Sequence, residues 1–131
     1  MQAAVPVGEG AMAAIIGLEQ QDVEAACAEA GAGSVCQIAN DNGGGQLVIS
    51  GAKAAVEKAA ALCTEKGAKR ALMLSVSAPF HSALMQPAAD AMREALANVA
   101  ARAPVVPVVS NVAVAPLTAL IGALLCSRKT G

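Results

Sequence analysis

Asn40-Asp41-Asn42-Gly43-Gly44-Gly45, running directly into Gln46-Leu47-Val48-Ile49, is the stretch on which the fold turns. Asparagine, aspartate and glycine supply positive φ at little steric cost, so the run reads as a hairpin connection between two short strand-like segments, 34–39 and 46–49. A glycine triplet can also cradle phosphate, but that use needs a helix N-terminus directly after it, and here a strand comes next. Upstream, the apolar run 11–16 ends at Gly17 and suits a buried strand. Over 18–30 the period changes: Val23, Ala26, Cys27 and Ala30 share one helical face, and Gly31 and Gly33 stop the helix. Downstream, Ser50-Gly51 leads into a helix over 52–66, with Val56, Ala59, Ala60 and Cys63 on one face and Gly67 at its end. Residues 69–76 supply another strand. The order strand, helix, strand, strand, helix, strand over 11–76 predicts an α+β chain with a ferredoxin-like split βαβ subdomain.

Composition narrows the functional classes. The chain has 131 residues, the length of one domain or of a domain with an appended piece. Nine basic and ten acidic residues are spread without runs, which argues against nucleic acid or an anionic membrane as partner. No apolar run reaches the roughly eighteen residues of a membrane span. The N-terminus lacks a basic stretch followed by an apolar one, so no signal peptide is expected and the location reads as cytoplasmic. Cys27, Cys36, Cys63 and Cys126 form no C-x-x-C pair. Their even count permits disulfides, but the spacing reads as small buried apolar residues in a reducing compartment.

The candidate chemistry lies in Ser75-Val76-Ser77-Ala78-Pro79-Phe80-His81-Ser82-Ala83-Leu84-Met85, which holds the one histidine and the one aromatic residue of the chain. Pro79 disfavours helix at the residue before it, and Ser82 is placed to cap the turn after it, so the imidazole should sit on a strand-to-helix corner. A helix is expected from about Pro87 to about Ala101, with Ala88, Ala91, Met92, Ala95 and Val99 as its apolar stripe. The valine-rich run 105–114 has no alternation and reads as a strand buried on both faces within a larger α/β body, or, if Pro107 marks an edge, as an edge strand. Residues 117–131 offer either an amphipathic helix or an exposed tail.

These residues resemble the malonyl-CoA:acyl-carrier-protein transacylase family, in its C-terminal portion, over roughly 1–116. The segments that carry the likeness are Met1-Gln2-Ala3-Ala4-Val5-Pro6 with Gly10 to Gly17, Asn40-Asp41-Asn42 with Gly45 to Gly51, Gly67 to Ala71, Ser77 to Met85, and Pro104 to Val112. The resemblance implies a ferredoxin-like insert (11–76), part of an α/β-hydrolase-like body carrying the His corner, a helix and a buried strand (77–116), and a divergent tail (117–131). It implies ping-pong chemistry: a serine in a G-H-S-x-G elbow takes malonyl from coenzyme A and passes it to the phosphopantetheine thiol of acyl carrier protein, with no further cofactor and no metal. His81 matches the family's general base and acid. Asn40 and Asn42 match a loop facing the substrate cleft, although two asparagines stabilising a turn would read the same way.

The sequence also departs from the family. It contains no G-x-S-x-G and no arginine ahead of Met1-Gln2 to fork the malonyl carboxylate. The nucleophile is therefore expected on a missing N-terminal half, and the chain alone is expected to be inactive. Two rivals stay open on the residues: a free-standing ferredoxin-like binding or assembly module, and a non-catalytic regulator of the complete enzyme.

Overall fold

The computed structural model describes residues 4–76, 78–100, 102–110 and 114–118. It contains two compact units, 1–88 and 89–131. In the first, the elements run β1 (Gly10–Ile16), α1 (Gln20–Ala30), β2 (Cys36–Asp41), β3 (Gln46–Ala52), α2 (Lys53–Glu65) and β4 (Arg70–Met73). They are succeeded by a single 3-10 turn, Ala83–Met85, and by α3 (Gln86–Ala97), which crosses the boundary between the units.

The sheet order is β2-β3-β1-β4 with every neighbouring pair antiparallel. Two strand–helix–strand crossovers, each with a strand of the other between its own two, produce this order, and the chain is α+β with the expected split βαβ topology. α1 and α2 cover one face. Ala11, Ala13 and Ile15 of β1 and Leu47 and Ile49 of β3 meet Val23, Ala26, Cys27 and Ala30 of α1 and Val56, Ala59 and Cys63 of α2. The helix faces expected from the 3.6-residue period are the ones buried, with Ala55 buried in addition on α2 and Ala60 only partly covered. Ile15, Ile49, Val23 and Val56 are the largest fully buried aliphatics. Each contributes about 1.5–3 kcal/mol by leaving water, so they carry most of an alanine-rich core.

The hairpin forms as its composition demands. Gly43, Gly44 and Gly45 have φ of 74°, 61° and 76°, a left-handed run open to glycine and strained for other residues. Asn42 N–H donates to Gln46 O (3.0 Å), and Gly45 O accepts from Gly17 N–H (2.8 Å), tying the loop to the end of β1.

The last strand is shorter than the expected 69–76. After Met73 only Leu74 N–H still reaches β1, donating to Met12 O (2.9 Å), and Val76 N–H turns back to Leu74 O (2.9 Å). Compact packing continues past Val76 to Ala88, so the His81 corner belongs to the same unit as the sheet.

The valine run departs most from expectation. In place of one strand buried on both faces, β5 (Val108–Ser110) pairs antiparallel with β6 (Ala115–Leu117), three residues each. Val105, Val106, Val109 and Val114 are exposed, as are Met92 and Val99 along α3 and just beyond it. Pro107 removes a backbone donor at the entry to β5, and among the described residues nothing of this unit covers the valines. α3 starts one residue before Pro87 and stops at Ala97, short of the expected Ala101. The helix-or-tail alternative for 117–131 falls, beyond Thr118, outside the described residues.

Candidate active site

The sheet face opposite the helices carries the candidate site. Successive side chains alternate across a strand, so Gly10, Met12 and Ala14 of β1 and Val48 and Ser50 of β3 point away from α1 and α2. The stretch leading to His81 lies against this face. Ala78 and Pro79 are buried, and Pro79 packs so tightly on Gly10 that a Cβ there would lie 2.3 Å from its Cδ. The missing side chain at Gly10 is what lets the corner seat on β1.

The turn around His81 is held by local and tertiary bonds. Phe80 N–H donates to Ala78 O (3.0 Å), Ser82 Oγ–H to Pro79 O (2.6 Å) and Met85 N–H to Ser82 O (3.0 Å). The side-chain cap expected of Ser82 does not form; its hydroxyl points back to Pro79 instead. Buried and committed to that carbonyl, it is unsuited to act as a nucleophile. From across the sheet, Gln37 Oε1 accepts from Ala83 N–H at 3.1 Å, which anchors the turn to β2.

His81 itself is exposed and has φ of 57°. A non-glycine residue in the left-handed region is uncommon, and such conformations cost about 1–3 kcal/mol and gather at functional sites. The result is an imidazole presented to solvent from a corner whose backbone is fixed on both sides.

Asn40 joins this face through an irregularity that the sequence does not signal. Ile38 pairs with Ile49, but Asn40 pairs with Val48, so Ala39 is the extra residue of a β-bulge. Strict alternation would place Asn40 beside Ile38 under the helices; the bulge turns it to the face on which the His81 corner sits. Its Nδ2 donates to Asn42 Oδ1, while Asp41 Oδ1 accepts from Gly43 N–H (2.8 Å) in an Asx turn. Both asparagines are exposed. The structure thus puts His81 and Asn40 on one side of the sheet and joins Asn42 to Asn40. Sequence reasoning misses Gln37, and no local pattern marks it, because its partner lies 46 positions away. Among the described residues no group of His, Cys, Asp and Glu side chains is arranged to hold a metal ion.

No family model matches the chain. Individual relatives do. Over 112 residues the chain is 56% identical to the malonyl CoA-acyl carrier protein transacylase of Escherichia coli K12, a match taking in 86% of this chain and 36% of that protein. The chain belongs to the malonyl CoA-acyl carrier protein transacylase family. It spans little more than a third of the length of the curated relatives it matches. Solved structures agree. An acyl carrier protein S-malonyltransferase from Vibrio cholerae superposes with a TM-score of 0.84 at 50% identity, covering 96% of this chain and 40% of that one. A malonyl-transacylase solved in complex with its type II PKS acyl-carrier protein gives a TM-score of 0.83 at 47% identity, over 90% of this chain and 38% of that one. The resemblance carried by the five sequence segments is thereby confirmed at the level of the family.

Proposed function

We propose that this segment supplies the acid–base residue, and one wall of the substrate cleft, for transfer of a malonyl group from coenzyme A to the thiol of acyl carrier protein. The observation that carries the reading is the presentation of His81: an exposed imidazole on a residue with left-handed backbone, at a corner clamped by Pro79 against Gly10 and by Gln37 at Ala83. Neutral imidazole accepts the serine proton as serine Oγ attacks the malonyl thioester carbonyl, and it returns that proton to the departing coenzyme A sulfur. In the second half it takes the proton of the phosphopantetheine thiol, whose sulfur attacks the malonyl-serine ester, and gives it back to serine. The serine must come from outside these 131 residues, which contain no G-x-S-x-G. Asn40, near the end of β2, and Asn42, in the hairpin loop after it, offer amide groups to the substrate. The acyl-carrier-protein partner is supported by the relative solved in complex with such a carrier. A cytoplasmic setting is supported by the free thiols of Cys27, Cys36 and Cys63.

A chimera tests the assignment: the 112 aligned residues of this chain replace their counterparts in the Escherichia coli relative. Malonyl transfer should survive the exchange and fall about 10²–10⁴-fold in the His81→Ala chimera, the usual contribution of general acid–base catalysis. An active chimera indifferent to His81→Ala would refute the role.

A further inference from the structure

Three thiols that malonyl transfer leaves unused meet on the helix-covered side of the sheet. Cys27 of α1 and Cys63 of α2 are buried, and Cys36, the first residue of β2, is half-buried against the same core. The Cys27 and Cys36 sulfurs are 3.5 Å apart, in hydrogen-bond contact. We propose that Cys27 and Cys36 form a reversible oxidation site, closing to an intramolecular disulfide when a peroxide reaches Cys36.

The geometry favours this pair. A disulfide needs sulfurs about 2.05 Å apart, so closure requires roughly 1.5 Å of approach, which torsion about the two Cα–Cβ bonds can supply. Cys36 pairs across the sheet with Gly51, whose lack of a side chain lets the Val35–Cys36 backbone lie close enough that a Cβ would fall 2.0 Å from Val35 O. The start of β2 is thereby drawn in toward the core, with Cys36 Sγ against Cys27. The chain between the two thiols contains Gly31 and Gly33, the latter with positive φ, so it can adjust.

Reactivity is divided between the two sulfurs. Cys36 is the more accessible, whereas Cys27 is 3% exposed and Cys63 fully buried. Between the neutral thiols Cys36 S–H donates to Cys27; once Cys36 ionises, Cys27 S–H donates to the thiolate, which holds the Cys36 thiol below its ordinary pKa, while that bond and burial push Cys27 up and burial pushes Cys63 up. The Cys36 thiolate is therefore the sulfur that attacks peroxide. The O–O bond breaks, Cys36 becomes a sulfenic acid, and the other oxygen leaves as water after protonation. Sulfenic Cys36 is neutral, which removes the charge opposing ionisation of Cys27. Cys27 sulfur then attacks Cys36 sulfur, its proton leaves with the sulfenic hydroxyl as a second water, and the S–S bond forms. Two thiols lose two electrons and two protons; one peroxide becomes two waters. The cross-link ties α1 to β2 one residue before Gln37, the side chain that anchors the His81 turn.

The inference is independent of the malonyl reading and is tested on the folded chain without any transfer assay. The chain and its Cys126→Ser variant are treated with hydrogen peroxide, quenched, alkylated under denaturing conditions and cleaved after glutamate, which separates Cys27 from Cys36 at Glu29. The expected product is a Cys27 peptide joined to a Cys36 peptide with loss of two hydrogens, released by dithiothreitol, with Cys63 alkylated. Cys63→Ser should give the same link. A dominant link to Cys63 would overturn the proposal. So would Cys36 driven to sulfinic acid while Cys27 stays alkylated, or both thiols alkylated at a peroxide dose that fully oxidises glutathione.

Discussion

Gly10→Ala is the substitution that most sharply separates the seating of the His81 corner from the stability of the helix-side core. The added Cβ would stand 2.3 Å from Pro79 Cδ and 2.5 Å from Cγ, where carbon atoms ordinarily rest about 3.5–4.0 Å apart. The overlap exceeds roughly 1 Å, and a proline ring fused to its own backbone cannot swing aside as a flexible side chain would. Overpacking on this scale costs about 1–3 kcal/mol. Gly10 is not among the positive-φ glycines, so alanine suits the strand conformation itself and recovers about 0.4–1 kcal/mol by restricting the unfolded chain. The net loss is about 1–2 kcal/mol, or roughly 5–15 °C in Tm for a unit of this size. Circular dichroism melting gives the stability, and proton NMR of the single histidine reports the corner without assignment ambiguity. The His81 ring signals should shift while the methyl signals of Ile49 and Val56, behind the sheet, stay near their wild-type positions. Adding Pro79→Ala, which removes the two nearest of the three clashing ring atoms and leaves Cβ at 2.9 Å, should restore part of the stability. Gly10→Ala with wild-type Tm and an unmoved His81 signal would refute the packing argument.

The same face and the same core give two further outcomes. Ser50 Oγ is fully buried without a hydrogen-bond partner; such a group costs about 1–3 kcal/mol, so Ser50→Ala should raise stability by about 1 kcal/mol in urea titrations. Burial raises the Cys63 pKa in the folded state, so above about pH 8.5 an unfolded thiol ionises while the folded one stays neutral. The unfolded state then binds fewer protons, and the contribution of Cys63, complete below that pH, is lost as pH rises toward its folded pKa. Stability should fall up to about 1.4 kcal/mol per pH unit faster in the wild type than in Cys63→Ala, measured by urea denaturation between about pH 8 and 10. Equal slopes would contradict this.

Much of the first unit can be read from residue order because its signals are local. The spacing of Val23, Ala26, Cys27 and Ala30 marks a buried helix face directly, and the glycines at 43–45 admit little besides a tight hairpin. Pro79, two residues before the one histidine, likewise marks the corner. The features that escape such reading depend on contacts between distant residues. The bulge at Ala39 is set by how β2 meets β3, yet it decides which face Asn40 takes. Gln37 is an ordinary polar residue until Ala83 N–H comes within 3.1 Å. Ser82 has a carbonyl-side and an amide-side option of similar local appeal, and the packing of Pro79 on Gly10 favours the former. The composition of the valine run describes only the environment such a strand needs; among the described residues of this unit β5 has only β6 beside it.

His81 is proposed as an acid–base residue whose serine lies elsewhere. Intact-protein mass spectrometry of the 131-residue chain after incubation with malonyl-CoA tests it most directly, with the Escherichia coli relative as a positive control for serine malonylation. The chain mass should stay unmodified under conditions in which the control is labelled. A malonyl adduct on this chain, abolished by His81→Ala, would show that it carries its own nucleophile and would contradict that claim.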